Sequence, residues 1–136
     1  MKNINYEKRI LSKANNYFDN KEYDKALIHY NKILKLNPKC NLALNKKGHI
    51  YLNKKEFNKA IKTFDKALNT DSNLTEALLG KTEALFKLEQ YSKALTTYNQ
   101  AIESDEECVD IKFYNQLFEL VEKQGNVKTF KSNKDY

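Results

Sequence analysis

The sequence predicts an all-α solenoid of stacked helical hairpins, and three observations support this fold class. The pattern aromatic-x-Lys-Ala-aliphatic-x-x-aromatic occurs three times at a spacing of 34 residues. Within each copy the apolar residues recur three or four positions apart, which places them on one face of a helix. The chain contains only three glycines and one proline, too few for the many turns of a sheet of short strands. Because one hairpin cannot bury both of its faces, we expect the hairpins to stack.

Each repeat contains two predicted helices joined by two residues. The joins are so short that neighbouring helices must run antiparallel. The first helices are predicted at 7–20, 41–54 and 75–88, and the second helices at 23–36, 57–70 and 91–104. Small residues on the facing sides let the paired helices approach closely. They are Ala14, Gly48 and Thr82 on the first helices, and Ala26, Ala60 and Ala94 on the second.

A capping helix is predicted after the third repeat, at about 109–124. Such a helix would cover the open end of the last hairpin. The lysine-rich tail 125–136 follows Gly125, and we expect it to be mobile. The chain is thus predicted as one domain, with repeats 7–40, 41–74 and 75–108. The apolar residues predicted on one face of the capping helix are Ile111, Tyr114, Leu117, Phe118 and Val121.

The three repeats closely resemble the tetratricopeptide repeat family over residues 7 to about 108. The resemblance rests on the period, on the order of small and aromatic residues, and on Pro38 at the end of the first repeat. It implies a right-handed superhelix of three helix-turn-helix repeats with a C-terminal capping helix. The sequence departs from the family at two kinds of position. Ser72 and Glu106 replace a closing proline, and Lys21, Lys55 and Glu89 stand in hairpin turns that favour glycine, at a cost of about 1 kcal/mol each.

The resemblance also implies a groove that binds a peptide, because in this family the first helices line the concave face. Amide side chains there could bond to an extended peptide backbone, and apolar side chains could hold its side chains. An alternative is that several apolar residues only pack between helices and that the asparagines only reflect composition. The candidate groove residues are Leu11, Asn15, Phe18, Asn45, His49, Leu52, Asn53, Leu79, Glu83 and Phe86.

Some members of the family hold the C-terminal carboxylate of heat-shock chaperones through five polar groups on three groove helices. The corresponding positions here are Leu11, Asn15, Lys46, Glu76 and Gly80. Only Asn15 retains the residue type, and Glu76 would repel a carboxylate. We therefore expect no such clamp.

The charge of +6 is carried almost wholly by lysine, since Arg9 is the single arginine. This composition disfavours nucleic-acid binding, because base edges and phosphates are read best by the planar guanidinium. Residues 1–40 and 41–74 carry net charges of +5 and +4, whereas residues 75–108 carry −4. An acidic partner could be drawn to the first two repeats, or two copies could associate head to tail. A solvated lysine coat would give the same pattern.

The sequence contains no catalytic or metal-binding motif. Neither Cys40 nor Cys108 has a second cysteine or a histidine at metal-ligand spacing. This pattern favours a reduced, cytoplasmic protein. His29 and His49 have no carboxylate or thiol at metal-ligand spacing. We therefore expect no enzyme activity, no metal, no cofactor and no membrane segment. The predicted function is binding of a partner protein's peptide or helix, with a self-assembling scaffold such as a homodimer, or less favourably a single-stranded RNA binder, as alternatives.

Overall fold

The computed structural model describes residues 4–134, and it describes side chains over residues 5–125. Seven α-helices and one short 3₁₀ turn, Glu106–Cys108, account for most of these residues, and no strand occurs among them. The predicted all-α solenoid of helix-turn-helix repeats is confirmed. The helices are α1 (Ile4–Asp19), α2 (Tyr23–Leu36), α3 (Asn41–Asn53), α4 (Phe57–Thr70), α5 (Thr75–Lys87), α6 (Tyr91–Ser104) and α7 (Ile111–Lys134).

The last helix differs most from its prediction. Helix α7 begins at Ile111 and continues to Lys134, so the predicted end at 124 is too early. A single glycine costs a helix only about 1 kcal/mol, and no proline follows Gly125 to stop the helix. The expected mobility of residues 125–136 stays a prediction. Residues 1–3 and 135–136 of the predicted domain lie outside the described part of the chain.

The three hairpin turns share one hydrogen-bonding pattern. In the first turn the amides of Lys21 and Glu22 donate to the carbonyl oxygens of Phe18 and Tyr17, at 3.0 and 2.8 Å. This pair of bonds is the Schellman motif, which requires a left-handed residue after the helix. Lys21, Lys55 and Glu89 occupy that position with φ of 61°, 60° and 59°. The missing glycines therefore leave the turn geometry unchanged.

Small residues and aromatic rings alternate along the core. The alanines Ala26, Ala60 and Ala94 are fully buried, as the repeat predicts. The ring of Phe64 lies between two glycines, Gly48 on α3 and Gly80 on α5. A Cβ built on either glycine would come within 2.5 or 2.4 Å of that ring. The stacking of the second and third repeats therefore depends on bare backbone on both of these helices.

The curvature of the solenoid follows from which helices touch. Helix α3 contacts both α1 and α5, whereas α2, α4 and α6 make no close backbone contact with one another within the described residues. Neighbouring repeats are therefore closer together on the side of α1, α3 and α5. We call these three the inner helices, which line the concave face, and call α2, α4 and α6 the outer helices.

The capping helix is anchored at its first turn. The Tyr98 hydroxyl accepts a hydrogen bond from the amide of Asp110 at 2.7 Å. The carboxylate of Asp110 accepts from the amides of Lys112 and Phe113 and so caps α7. Leu117 is fully buried against α6.

The predicted buried face of this helix is partly wrong. Ile111 and Phe118 are 69% and 47% exposed, and Phe113 packs in their place. The helix is rotated so that Phe113 and Leu117, spaced by one turn, face the third repeat. Both residues lie 35 positions after Leu78 and Thr82, so the repeat pattern continues into α7 with one extra residue.

Candidate binding groove

The groove is the concave surface of the inner helices α1, α3 and α5. Of the predicted residues, seven are half-buried along these helices, Glu83 and Asn53 are exposed, and Leu52 is buried. Leu52 is only 9% exposed and packs in the core cluster around Phe64, so its side chain does not belong to the groove surface. The half-buried residues are Leu11, Asn15, Phe18, Asn45, His49, Leu79 and Phe86.

The end of the groove at α1 is built from an aromatic ring and a lysine. The Nζ atom of Lys46 lies 4.6 Å from the centre of the Phe18 ring, within reach of a cation–π interaction. The edge of the Phe18 ring in turn contacts Tyr23. This places one positive charge between α1 and α3.

Asn15 bonds within the protein. Its Oδ1 accepts a hydrogen bond from the hydroxyl of Tyr30 at 2.5 Å. Burial, together with the charge of Asp19, raises the pKa of Tyr30 well above its ordinary value, so the hydroxyl stays a donor. The amide oxygen of Asn15 is therefore already occupied, and its amide nitrogen is the group left for a ligand.

The centre of the groove joins α3 to α5 through one hydrogen bond. The Nδ2 atom of Asn45 donates to Oε2 of Glu76 at 2.7 Å. Because a carboxylate only accepts, this bond fixes the orientation of the amide and turns its oxygen inward. That Oδ1 is buried and has no partner among the described residues.

The ring of His49 is influenced by the charges of two carboxylates, Glu76 and Glu83. This ring meets the edge of Phe64 at 5.1 Å between centres. Burial lowers the pKa of His49, and the charge of Lys46 lowers it further, while Glu76 and Glu83 oppose the change. The imidazole is thus neutral at neutral pH and can both donate and accept a hydrogen bond. The neighbouring Asn53 donates from Nδ2 to the carbonyl oxygen of His49 at 3.0 Å, which ties it to its own helix.

Two cavities open along the groove. The first, of about 500 Å³, lies between the N-terminal ends of α3 and α5 and is bordered by Leu42, Asn45 and Glu76. Leu42, on the inner helix α3, is 46% exposed there.

The second cavity, of about 320 Å³, lies where α5 meets α7. Leu79, Glu83 and Phe86 of α5 form one side, and Phe113 of α7 forms the other. The rings of Phe86 and Phe113 are in contact, with centres 5.4 Å apart. The predicted apolar face of α7 did not include Phe113, although its 35-residue spacing from Leu78 was a signal for it.

Neither a metal site nor a membrane helix is found in the described part of the chain. No group of three or more metal-binding side chains comes together there. No helix in that part combines the length and the apolar character needed to cross a bilayer.

Comparisons with known proteins point to one class of repeat. The model of the family described as Anaphase-promoting complex, cyclosome, subunit 3 matches residues 19–101. No curated protein matches the chain.

Several solved tetratricopeptide repeat domains share the fold. The TPR2B domain of yeast Sti1, in a complex with pHsp70, is 21% identical, covers 87% of this chain and 97% of its own, and has a TM-score of 0.74. The Arabidopsis OM64 domain is 22% identical over 85% of this chain and 96% of its own, with a TM-score of 0.78. The first such domain of Spaghetti (RPAP3), bound to the HSP90 peptide SRMEEVD, is 21% identical over 88% and 93%, with a TM-score of 0.76.

Proposed function

The chain belongs to the family described as Anaphase-promoting complex, cyclosome, subunit 3, and from this membership we propose that it is a protein–protein interaction module. It is a tetratricopeptide repeat protein with three repeats and a C-terminal capping helix. Its proposed ligand is an extended peptide or a single helix of another protein, bound along the groove. We also propose that the protein is cytoplasmic and has no catalytic activity.

One observation carries this proposal: the groove has two separate cavities with polar groups between them. The cavities, of about 500 and about 320 Å³, lie at opposite ends of α5 and differ in their apolar walls. Glu76 borders the first cavity and Glu83 borders the second, and the charges of both act on the neutral imidazole of His49. A peptide places successive side chains into such cavities while its backbone bonds to the polar groups between them.

The ligand we propose is not the acidic C-terminus of a chaperone. The structure of Spaghetti contains an HSP90 peptide, which supports a peptide as the class of ligand. The clamp positions of this chain, however, are occupied differently. Asn15 is engaged by Tyr30, Glu76 presents a carboxylate, and Gly80 has no side chain and faces Phe64.

The test compares a groove variant with a matched variant on the outer helices. Leu42→Ser with Glu83→Lys removes one exposed apolar residue and reverses one charge in the groove. Ile28→Ser with Glu103→Lys makes the same chemical changes on α2 and α6, where both residues are exposed. We expect both variants to keep the helicity of the original chain.

Partners are then captured from cells of the source organism and identified by mass spectrometry. Proteins that the original chain and the outer-helix variant retain should be lost by the groove variant. Should every captured protein remain bound to the groove variant, the groove is not the binding surface.

Self-association is a second candidate function, and one observation favours it. Ile111 and Phe118 are exposed and lie seven residues apart, so they share one face of α7. Two copies could bury these faces against each other. Sedimentation equilibrium at tens of micromolar tests this: a dimer that Ile111→Asn with Phe118→Asn converts to a monomer supports the idea, whereas a strict monomer of the original chain removes it.

A further inference from the structure

We propose that the cavity between α5 and α7 selects a lysine or arginine side chain of the bound peptide. This inference rests on the proposed function and specifies the chemistry of its ligand. It follows from three features of the cavity, namely a carboxylate without a partner, apolar walls, and a negative local charge.

The carboxylate is that of Glu83. It borders the cavity, it is exposed, and across the described residues it makes no hydrogen bond or ion pair. Lys87 lies one turn away on the same helix and forms no ion pair with Glu83 in that part of the chain, and Lys81 pairs with Asp65. The other acidic side chain at the cavity, Asp110, is used to cap α7. Glu83 is therefore the group available to a cation.

The walls suit a long side chain with a charged end. Leu79, Phe86 and Phe113 line the cavity with apolar surface, and the two phenylalanine rings touch. Lysine and arginine pack their methylene groups along such surface while the charged end reaches a carboxylate or an aromatic face. A short acidic side chain would gain neither contact.

The charge around the cavity acts in the same direction. Residues 75–108 carry a net charge of −4, in contrast to +5 and +4 in the first two repeats. Glu76 lies further along the groove, and both Glu76 and Glu83 act on His49 as negative neighbours. Lys46 lies beside Phe18 and borders the α3–α5 cavity instead. A cationic residue of a peptide is thus drawn to the α5–α7 end.

The experiment selects ligands without assuming a sequence. Random peptides without a free C-terminal carboxylate are displayed and enriched on the immobilised full chain. We expect an excess of lysine and arginine over aspartate and glutamate among the enriched peptides. One enriched peptide is then synthesised with an amidated C-terminus, and its affinity is measured by fluorescence anisotropy for the original chain and for two variants.

The two variants separate the cavity from general electrostatics. Glu83→Gln keeps the shape of the side chain and removes its charge, whereas Glu103→Gln removes an equal charge on the outer helix α6. Glu83→Gln should weaken binding about two- to fivefold, the range of an exposed ion pair. Glu103→Gln changes the net charge by the same amount but does not touch the cavity, so it should change the dissociation constant less than Glu83→Gln does.

The outcomes distinguish this inference from the function on which it rests. If no peptide is enriched on the original chain, the proposed function fails. If peptides are enriched and depend on the groove but show no basic excess, or if Glu83→Gln binds as well as the original chain, the choice of a cationic side chain is wrong and the binding function stands.

Discussion

The backbone amide of Glu56 donates to the carbonyl oxygen of Tyr51 at 2.9 Å, across the turn between α3 and α4. A second bond, from the amide of Lys55 to the carbonyl oxygen of Leu52, also measures 2.9 Å. Both bonds require Lys55 to be left-handed, and its φ is 60°. A side chain with a Cβ is strained in this conformation by about 1–2 kcal/mol, whereas glycine is not.

Replacing Lys55 with glycine should therefore stabilise the protein. The strain is removed, but the unfolded chain gains conformational freedom, so the net gain is on the order of 0.5–1 kcal/mol. Urea unfolding followed by circular dichroism measures the free energy of unfolding. Lys55→Ala is the matched control, because it removes the same charge and keeps the Cβ. Equal stabilisation by glycine and alanine would show that strain is not the cause.

Replacing Gly80 with alanine should destabilise the protein. The new Cβ would lie 2.4 Å from Cζ of Phe64, a ring that is fully buried and also touches Gly48. Overpacking of this kind costs about 1–3 kcal/mol, which exceeds the gain of about 1 kcal/mol in helix propensity. Thermal and urea unfolding measure the loss.

A second glycine provides the control for this prediction. Among the side chains that the structure describes, none would come within 4 Å of a Cβ on Gly125, and alanine favours a helix over glycine, so Gly125→Ala should stabilise α7 by about 0.5–1 kcal/mol. Adding Phe64→Leu to Gly80→Ala should restore part of the lost stability, because the leucine side chain is smaller than the phenylalanine ring. Gly80→Ala with undiminished stability would contradict the close packing of the two helices on this ring.

The fold could be predicted from the sequence because its signal repeats. The second helices begin and end at the predicted residues, 23–36, 57–70 and 91–104, since three phased copies reinforce one another. Gly80 carries no such signal, because it falls outside the 34-residue register of the small residues. Its role depends on where the Phe64 ring of the neighbouring helix lies, which periodicity does not specify.

The groove could be predicted less fully, because its surface depends on contacts between helices. Asn15 and Asn45 were predicted as amides that could bond to a peptide backbone, and the sequence does not show that Tyr30 and Glu76 bond to them from 15 and 31 residues away. Leu52 lies at the border of its helix face, where spacing alone does not separate groove from core. To predict Phe113 as a groove residue, one would have had to recognise that the repeat continues into α7 with one extra residue.

Loss of the Asp110 carboxylate should loosen the capping helix. The carboxylate accepts hydrogen bonds from the amides of Lys112 and Phe113, at 3.0 and 3.2 Å. Asp110→Ala should cost about 1 kcal/mol and raise amide hydrogen exchange in the first turns of α7. Asp110→Asn keeps an oxygen acceptor and should retain most of the protection. Unchanged exchange in Asp110→Ala would mean that the packing of Phe113 and Leu117 and the bond to Tyr98 hold the helix without the cap.

Stability should fall as the pH drops below the ordinary pKa of histidine, and His49 should cause part of the fall. Burial lowers the pKa of His49 below 6.5, so the unfolded chain binds a proton that the folded chain does not. The stabilising contribution is complete above about pH 6.5 and declines as the pH falls toward the lowered value in the folded state. Lys46 adds to this effect, while Glu76 and Glu83 reduce it.

The measurement is the free energy of unfolding in urea at about pH 7.5 and at about pH 5.5. Between these two pH values, the free energy of unfolding should decrease less in His49→Gln than in the original chain, whatever the stability of the variant at the higher pH. His29→Gln, which removes the second histidine on the outer helix α2, is the matched control. An equal decrease in the original chain and in His49→Gln would assign the pH dependence to carboxylates, and would mean that His49 accepts a proton in the folded groove as readily as in water.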